Sequence, residues 1–96
     1  QFSSVIQAII SQQLIPKANG EGRVAAVEIM IATPAIRNLI REEKIHQIEN
    51  SIQTGGKIGM KTMDNSLLEL YNKGIITKDS LLSQCVNIEY VRRFVI

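Results

Sequence analysis

The stretch TPAIRNLIRE at residues 33–42 decides how this 96-residue chain divides. Before it the chain is rich in β-branched residues, and after it apolar residues recur at helical spacing. Thr33 is a preferred N-cap, and Pro34 suits the first helical position, where the N–H that proline lacks would have no partner. We therefore predict that the strands end before Thr33 and that a helix begins there.

The predicted helix is amphipathic, with a cationic flank. Ile36, Leu39 and Ile40 stand at i, i+3 and i+4, which places them in one apolar stripe that should pack inward. Arg37 and Arg41 stand one turn apart on an adjoining face. Periodicity alone leaves two readings open, because such a helix is either ordinary core packing with a solvated edge or a surface that docks on a partner.

Two strands are predicted ahead of this helix, at residues 5–10 (VIQAII) and 24–31 (VAAVEIMI). The connection PKANGEG at residues 16–22 favours a solvated hairpin loop, so the strands should be antiparallel. Their nearly continuous apolar runs are typical of strands covered on both faces inside a larger sheet. A two-stranded hairpin cannot supply that cover. We therefore expect a longer protein around it, and self-association of the chain by itself.

Short helices are predicted for the rest of the chain. A second helix over residues 44–53 is followed by a flexible connection at residues 55–59. Further helices should be capped by Thr62, Thr77 and Asn87, with Gly74 ending the first of these three. The side chains expected to face inward are Met63, Leu67, Leu70, Tyr71, Leu81, Leu82, Cys85, Tyr90, Val91 and Phe94.

The composition and net charge of the chain limit the classes of function that it can be expected to have. With 45% hydrophobic and 21% charged residues, the chain should fold around an ordered core. A formal net charge of +2 is too small to predict nucleic-acid or membrane binding. No apolar run approaches the ~20 residues of a membrane helix, and we expect a cytoplasmic protein. The lone Cys85 is expected to be a small core residue.

The sequence contains no motif that predicts catalysis within the chain. It has no GxxxxGK[ST] phosphate loop, no GxGxxG after a strand and no HExxH. His46 stands in a predicted helix without a neighbouring nucleophile, and Glu42 and Glu43 are expected to be exposed helix-end charges. We therefore predict no catalytic, cofactor-binding or metal-ligating residue in these 96 residues.

A rival reading comes from a different class of protein. Residues 67–74 and 77–84 could form two short helices around a glycine turn, as in a helix-turn-helix module that binds nucleic acid. The second of these segments offers Lys78 but also Asp79, whereas binding in a DNA groove generally requires a basic face. A structural interaction domain that does not belong to a larger motor is the third interpretation.

Several segments together resemble the PilT family of type IV pilus retraction (twitching motility) ATPases, within the type II/IV secretion ATPase superfamily. The octet at residues 35–42 is similar to the AIRNLIRE motif of that family. It is flanked by similar segments at residues 10–14, 22–29, 46–55, 59–64 and 67–76, so that the resemblance covers about residues 5–86. The motif residues are Ala35, Ile36, Arg37, Asn38, Leu39, Ile40, Arg41 and Glu42.

The resemblance implies a RecA-like α/β parent, with residues 1–32 as closing strands of the ATPase core and residues 33–96 as a C-terminal helical subdomain. It implies a cytoplasmic homohexamer that uses ATP and Mg²⁺ at the inner face of the membrane. Such a motor works with the inner-membrane machinery at the pilus base, and neither nucleic-acid binding nor membrane insertion is implied. The phosphate loop, acidic boxes and histidine box would precede this chain, which would bind no cofactor alone. One departure is Glu43, where the family usually has glycine, and this residue should let the first helix run further or fuse partly with the next.

Overall fold

The computed structural model describes residues 8–95 as a β-hairpin followed by short helices. The strands are β1 (Ala8–Pro16) and β2 (Arg23–Ile31). The helices are α1 (Pro34–Arg41), α2 (Ile48–Thr54), α3 (Met63–Asn72), α4 (Lys78–Gln84) and α5 (Ile88–Arg92), with single 3₁₀ turns at Ile45–Gln47 and Gly56–Ile58. The predicted architecture of a hairpin followed by four to five helices is thus confirmed for this part of the chain.

The two strands pair antiparallel, as predicted, with Gln12 opposite Val27 and Ile15 opposite Val24. β1 runs to Pro16, well beyond the predicted end at Ile10, because the polar residues Ser11 to Gln13 lie on an exposed strand and therefore do not interrupt it. Residues 5–7 of the predicted strand lie outside the described residues. Within the loop between the strands, the Asn19 side chain accepts the Glu21 N–H at 2.9 Å, a local bond typical of asparagine in turns.

The core consists of two clusters on one side of the hairpin. The larger joins Ile15 and Ala26 to α3, α4 and α5 through Leu67, Leu81 and Val91. The smaller joins the end of β2 to α1 and α2 through residues Met30, Ile31, Ile36, Ile48, Ile52 and Met60. The edge of β2 that faces away from β1 is bonded to the segment before α3. There Ile29 and Lys61 exchange two backbone hydrogen bonds of 2.8 and 3.0 Å. The helices therefore cover one face of the hairpin, and they pack mainly against β2.

β1 lacks comparable cover. Of its nine residues only Ile15 is buried, whereas Ile10 and Leu14 are 63% and 57% exposed. Large apolar side chains left in water at this density are unusual for a strand of a complete sheet. The apolar run in this part of the sequence suggested a strand covered on both faces. In the described residues, the faces of β1 are instead largely open to solvent.

The four predicted N-caps are confirmed. Thr33, Thr62, Thr77 and Asn87 each accept a backbone N–H from the residue three positions on, at 3.1–3.2 Å. The second predicted helix is shorter than expected, since residues 45–47 form a 3₁₀ turn and the α-helix begins only at Ile48. Several side chains expected to face inward are only half-buried, and Phe94 is exposed.

Candidate functional site

Helix α1 carries the AIRNLIRE segment and is fixed through a single deeply buried side chain. Ile36 is 0% exposed and packs with Ile52 and Met60. At the start of the helix the Thr33 hydroxyl accepts the Ile36 N–H at 3.2 Å, so the same residue is held through both its backbone and its side chain. The prediction that Ile36 packs inward is therefore confirmed.

The rest of the stripe does not pack as expected. Leu39 is half-buried, and Ile40 is 49% exposed, so the prediction that Ile40 packs inward is wrong for the described residues. Ile40 lies on the same side of the helix as Ile36 but one turn further on, near the C-terminal end of α1, so the packing that buries Ile36 does not extend to it. Ile45 follows the helix and is 59% exposed. Two large aliphatic side chains are therefore left in water near the end of α1.

The two arginines of the motif are exposed and held by hydrogen bonds near the helix. The Arg37 Nε–H donates to the Ala32 carbonyl at 3.1 Å, just before the N-cap. The Arg41 guanidinium donates to the Asn38 side chain at 3.0 Å, one turn back. These bonds restrict each guanidinium to the α1 surface. A cationic flank therefore borders the exposed aliphatic side chains, as the spacing of the arginines predicted.

Helix α1 ends at Arg41, so the expectation that Glu43 lets the helix run further is wrong. Glu43 adopts a left-handed conformation with φ of +58°. The Glu43 N–H bonds to the Ile40 carbonyl at 3.1 Å and the Lys44 N–H to the Leu39 carbonyl at 2.8 Å. This pair of bonds is the Schellman motif that a glycine usually completes. The backbone turn of the glycine is thus kept although the glycine is replaced.

Three acidic side chains, Glu28 on β2, Glu49 on α2 and Asp64 on α3, lie close enough for their charges to interact. Glu28 on β2 accepts the Met63 N–H at the start of α3 at 3.3 Å, and its charge acts on Glu49 of α2. Burial raises the pKa of Glu49, and the charges of Glu28 and then Asp64 raise it further. Glu49 of α2, the helix that packs on α1, therefore lies close enough to Glu28 of the sheet for the two charges to interact.

Asp64 is a buried carboxylate with a structural role that sequence reasoning missed. It is 3% exposed, and its two oxygens accept the N–H groups of Val86 and Asn87 at 2.7 and 2.9 Å. These bonds hold the turn between α4 and α5 against the start of α3. The only local signal was its place in the first turn of a predicted helix, where an acid suits the helix dipole.

An open groove of about 410 Å³ lies between α3, α5 and the segment before α3. Across it, the Lys61 ammonium pairs with Glu69 at 2.8 Å, and the Tyr90 hydroxyl donates to Asn65 at 2.8 Å. These polar groups are paired with one another, and none is set against a nucleophile. The groove therefore offers no arrangement for acid–base or nucleophilic chemistry.

The remaining candidate residues take no part in a shared site. His46 is exposed in the 3₁₀ turn, and Glu42 pairs with Lys44 at 3.3 Å at the surface. Cys85 is half-buried, and burial, followed by the charge of Asp64, raises the pKa of its thiol. Within residues 8–95, no group of three or more His, Cys, Asp or Glu side chains could hold a metal ion. In the same part of the chain, no helix is long and apolar enough to cross a membrane.

Comparison with known proteins relates the chain to pilus motors, although no protein-family model matches it. It is 56% identical over 79 residues to the type IV pilus retraction ATPase PilT of Pseudomonas aeruginosa, covering 82% of this chain and 23% of that protein. It is 48% identical over 88 residues to a twitching motility protein of Neisseria gonorrhoeae, covering 92% of this chain and 24% of that protein. It is also 36% identical over 78 residues to the type IV pilus ATPase PilU of P. aeruginosa, covering 81% and 20%.

The fold agrees with these sequences. A crystal structure of the pilus retraction motor PilT with bound ADP superposes with a TM-score of 0.73 at 40% identity, over 91% of this chain and 23% of that one. The hairpin, the capped helices and the sequence of α1 thus match one segment of a pilus retraction ATPase. The chain belongs to the PilT family of pilus retraction ATPases, and it spans about a quarter of the length of the relatives it matches.

Proposed function

We propose that this chain serves in a hexameric motor that uses ATP and Mg²⁺ to retract type IV pili from the cytoplasmic side of the membrane. Residues 1–32 would close a RecA-like ATPase core, and residues 33–96 would form a C-terminal helical subdomain. The observation that carries this proposal is the 56% identity to a protein named as a pilus retraction ATPase. The nucleotide chemistry would belong to other segments of the motor.

Within the motor, α1 would couple movement to a neighbouring subunit or to the pilus base. Ile36 anchors the helix, whereas Ile40 and the two arginines of the motif remain at the surface. A helix used only for packing would turn its large aliphatic side chains inward. Exposed apolar area bordered by two guanidinium groups is instead the composition of a contact surface, since arginine is enriched at protein interfaces.

The helix-turn-helix alternative is less well supported. Helices α3 and α4 do flank a turn at Gly74, but Lys78 and Asp79 are both exposed at the start of α4 and offset each other in charge. DNA binding depends largely on phosphate contacts from a cationic surface. Two of the relatives described above are also named as type IV pilus ATPases, so we prefer the role in retraction.

A chimaera tests the proposed function directly. The matching segment of the P. aeruginosa PilT would be replaced by residues 8–95 of this chain, in a strain that lacks its own copy. We expect the chimaera to restore twitching motility. A second chimaera carrying Ile36→Asp serves as the control, because a charge at this buried site should prevent folding and retraction together. A stable, ATP-hydrolysing first chimaera that leaves the pili unretracted would contradict the proposal.

A further inference from the structure

The loop between β1 and β2 contains an asparagine followed directly by a glycine. Of the asparagines in the sequence, only Asn19 precedes a glycine. Asn19, Gly20 and Glu21 are all exposed at the tip of the hairpin. A Cβ placed on Gly20 would meet no atom of residues 8–95 within 4 Å, apart from its own neighbours in the chain. The Gly20 nitrogen is therefore open to the side chain that precedes it, because glycine has no side chain in the way.

The Asn19 side chain is already folded along the backbone that follows it. Its Oδ1 accepts the Glu21 N–H at 2.9 Å, and this bond closes a turn around Gly20. The same bond places a donor on the oxygen that becomes negatively charged when a nucleophile attacks Cγ, which favours the attack. The Gly20 N–H donates to the Lys17 carbonyl at 3.0 Å and must leave it before its nitrogen attacks. Such a bond opens at lower cost in an exposed loop than inside a helix.

We propose that Asn19 is a site of spontaneous deamidation. The Gly20 nitrogen attacks Cγ of Asn19, so that a C–N bond forms while the bond from Cγ to Nδ2 breaks. The leaving nitrogen takes up the proton that Gly20 gives up and departs as ammonia. Water then opens the resulting cyclic imide, which yields aspartate when the new bond breaks and isoaspartate when the original peptide bond breaks. Water is the only co-reactant, and the inference does not depend on the proposed role in retraction.

Both products add a negative charge, but they affect the loop differently. Aspartate retains a side-chain oxygen that accepts the Glu21 N–H, so the turn stays closed. Isoaspartate carries the main chain through its Cβ, which adds one carbon to the loop and moves the carboxylate to Cα. The Ala18 N–H donates to the Ile75 carbonyl at 2.8 Å, and this bond docks the loop on the turn after α3. Isoaspartate should loosen this contact, whereas aspartate should keep it.

Peptide mapping of a full-length motor that carries this chain tests the proposal. Trypsin cleaves after Lys17 and after Arg23, so residues 18–23 are released as one short peptide. Its asparagine, aspartate and isoaspartate forms separate by chromatography. After prolonged incubation at mildly alkaline pH, we expect the asparagine form to be largely lost and both products to appear. A sample digested before incubation shows how much of the change arises during digestion.

Asn50 is the matched control within the same protein. It is exposed and is followed by Ser51, but both residues lie in α2, where the helical hydrogen bond holds the Ser51 nitrogen in place. We expect Asn50 to remain unmodified while Asn19 reacts. A motor in which Asn19 stays intact, or reacts no faster than Asn50, would overturn the proposal.

Two variants separate the chemistry from its effect on the loop. Asn19→Ser has no amide to lose and can still accept the Glu21 N–H, so its peptide should not change with time. Asn19→Asp supplies one product directly and should keep the slow hydrogen exchange of the Ala18 amide. The incubated protein that contains isoaspartate should lose this protection. Equal protection of the Ala18 amide in both proteins would overturn the effect assigned to isoaspartate.

Discussion

The Lys44 N–H donates to the Leu39 carbonyl at 2.8 Å across Glu43, and this bond closes α1 with a residue in the left-handed conformation. Left-handed backbone costs an L-amino acid roughly 1–2 kcal/mol, because its Cβ approaches the following carbonyl. Glutamate bears that cost here, whereas glycine would not. The helix end that presents Arg41 and Ile40 is therefore kept in place by its hydrogen bonds, against a local conformational preference.

Glu43→Gly should stabilise the chain by about 1 kcal/mol, the left-handed cost less the larger entropy that glycine loses on folding. Urea unfolding of the two proteins measures the difference. Glu43→Ala is the matched control, because it removes the same charge but keeps Cβ, and it should bring little gain. Equal stabilisation by both variants would show that the charge of Glu43, and not its backbone, is unfavourable.

Asp64→Ala should cost about 2–4 kcal/mol, since it leaves the buried N–H groups of Val86 and Asn87 without their acceptor. We expect hydrogen exchange at those two amides to accelerate more than at α1. The exposed Asp79→Ala, also in the first turn of a helix, provides the comparison and should cost less than about 1 kcal/mol. Similar losses for both substitutions would contradict the anchoring role of Asp64.

The pH dependence of stability should reflect the carboxyl pair of Glu28 and Glu49. The folded pKa of Glu49 is raised above its usual 4.5, so its stabilising contribution is complete below that pH and is lost as pH rises through the folded pKa. Glu49→Gln stays neutral at every pH and so avoids the cost of charging this position. The Tm of this variant should therefore gain on the parent chain between pH 4 and pH 7. A Tm difference that stays constant over this range, as expected for the exposed Glu21→Gln, would contradict the raised pKa.

The chain alone should neither bind ATP tightly nor hydrolyse it, because its sequence lacks a phosphate loop with its lysine and backbone N–H groups. Calorimetry with millimolar Mg-ATP and a phosphate-release assay measure the two properties. A full-length retraction motor serves as the positive control. Magnesium-dependent turnover by the purified 96 residues would refute this prediction.

Much of the fold could be predicted from local sequence signals. Contacts between segments that are distant in the sequence could not. Thr33, Thr62 and Thr77 were recognisable as caps because a cap depends on the three residues that follow it. The bonds from Asp64 to Val86 and Asn87 join residues at least 22 positions apart, and no short pattern indicates them. Periodicity gave the angular position of Ile40 around α1 but not whether a neighbour covers it. Of the candidate site, the position of the arginines was therefore predictable, but the exposure of Ile40 was not.

The central claim, that the exposed face of α1 couples the motor to its partner, is tested most directly by Arg37→Gln together with Arg41→Gln in a full-length protein carrying this chain. Exposed charges contribute only ~0–1 kcal/mol to stability, so the double variant should melt normally and assemble to normal mass. Twitching motility should nevertheless be lost, since glutamine supplies neither the charge nor the planar donor fork of arginine. Normal melting and assembly with normal twitching would contradict the claim.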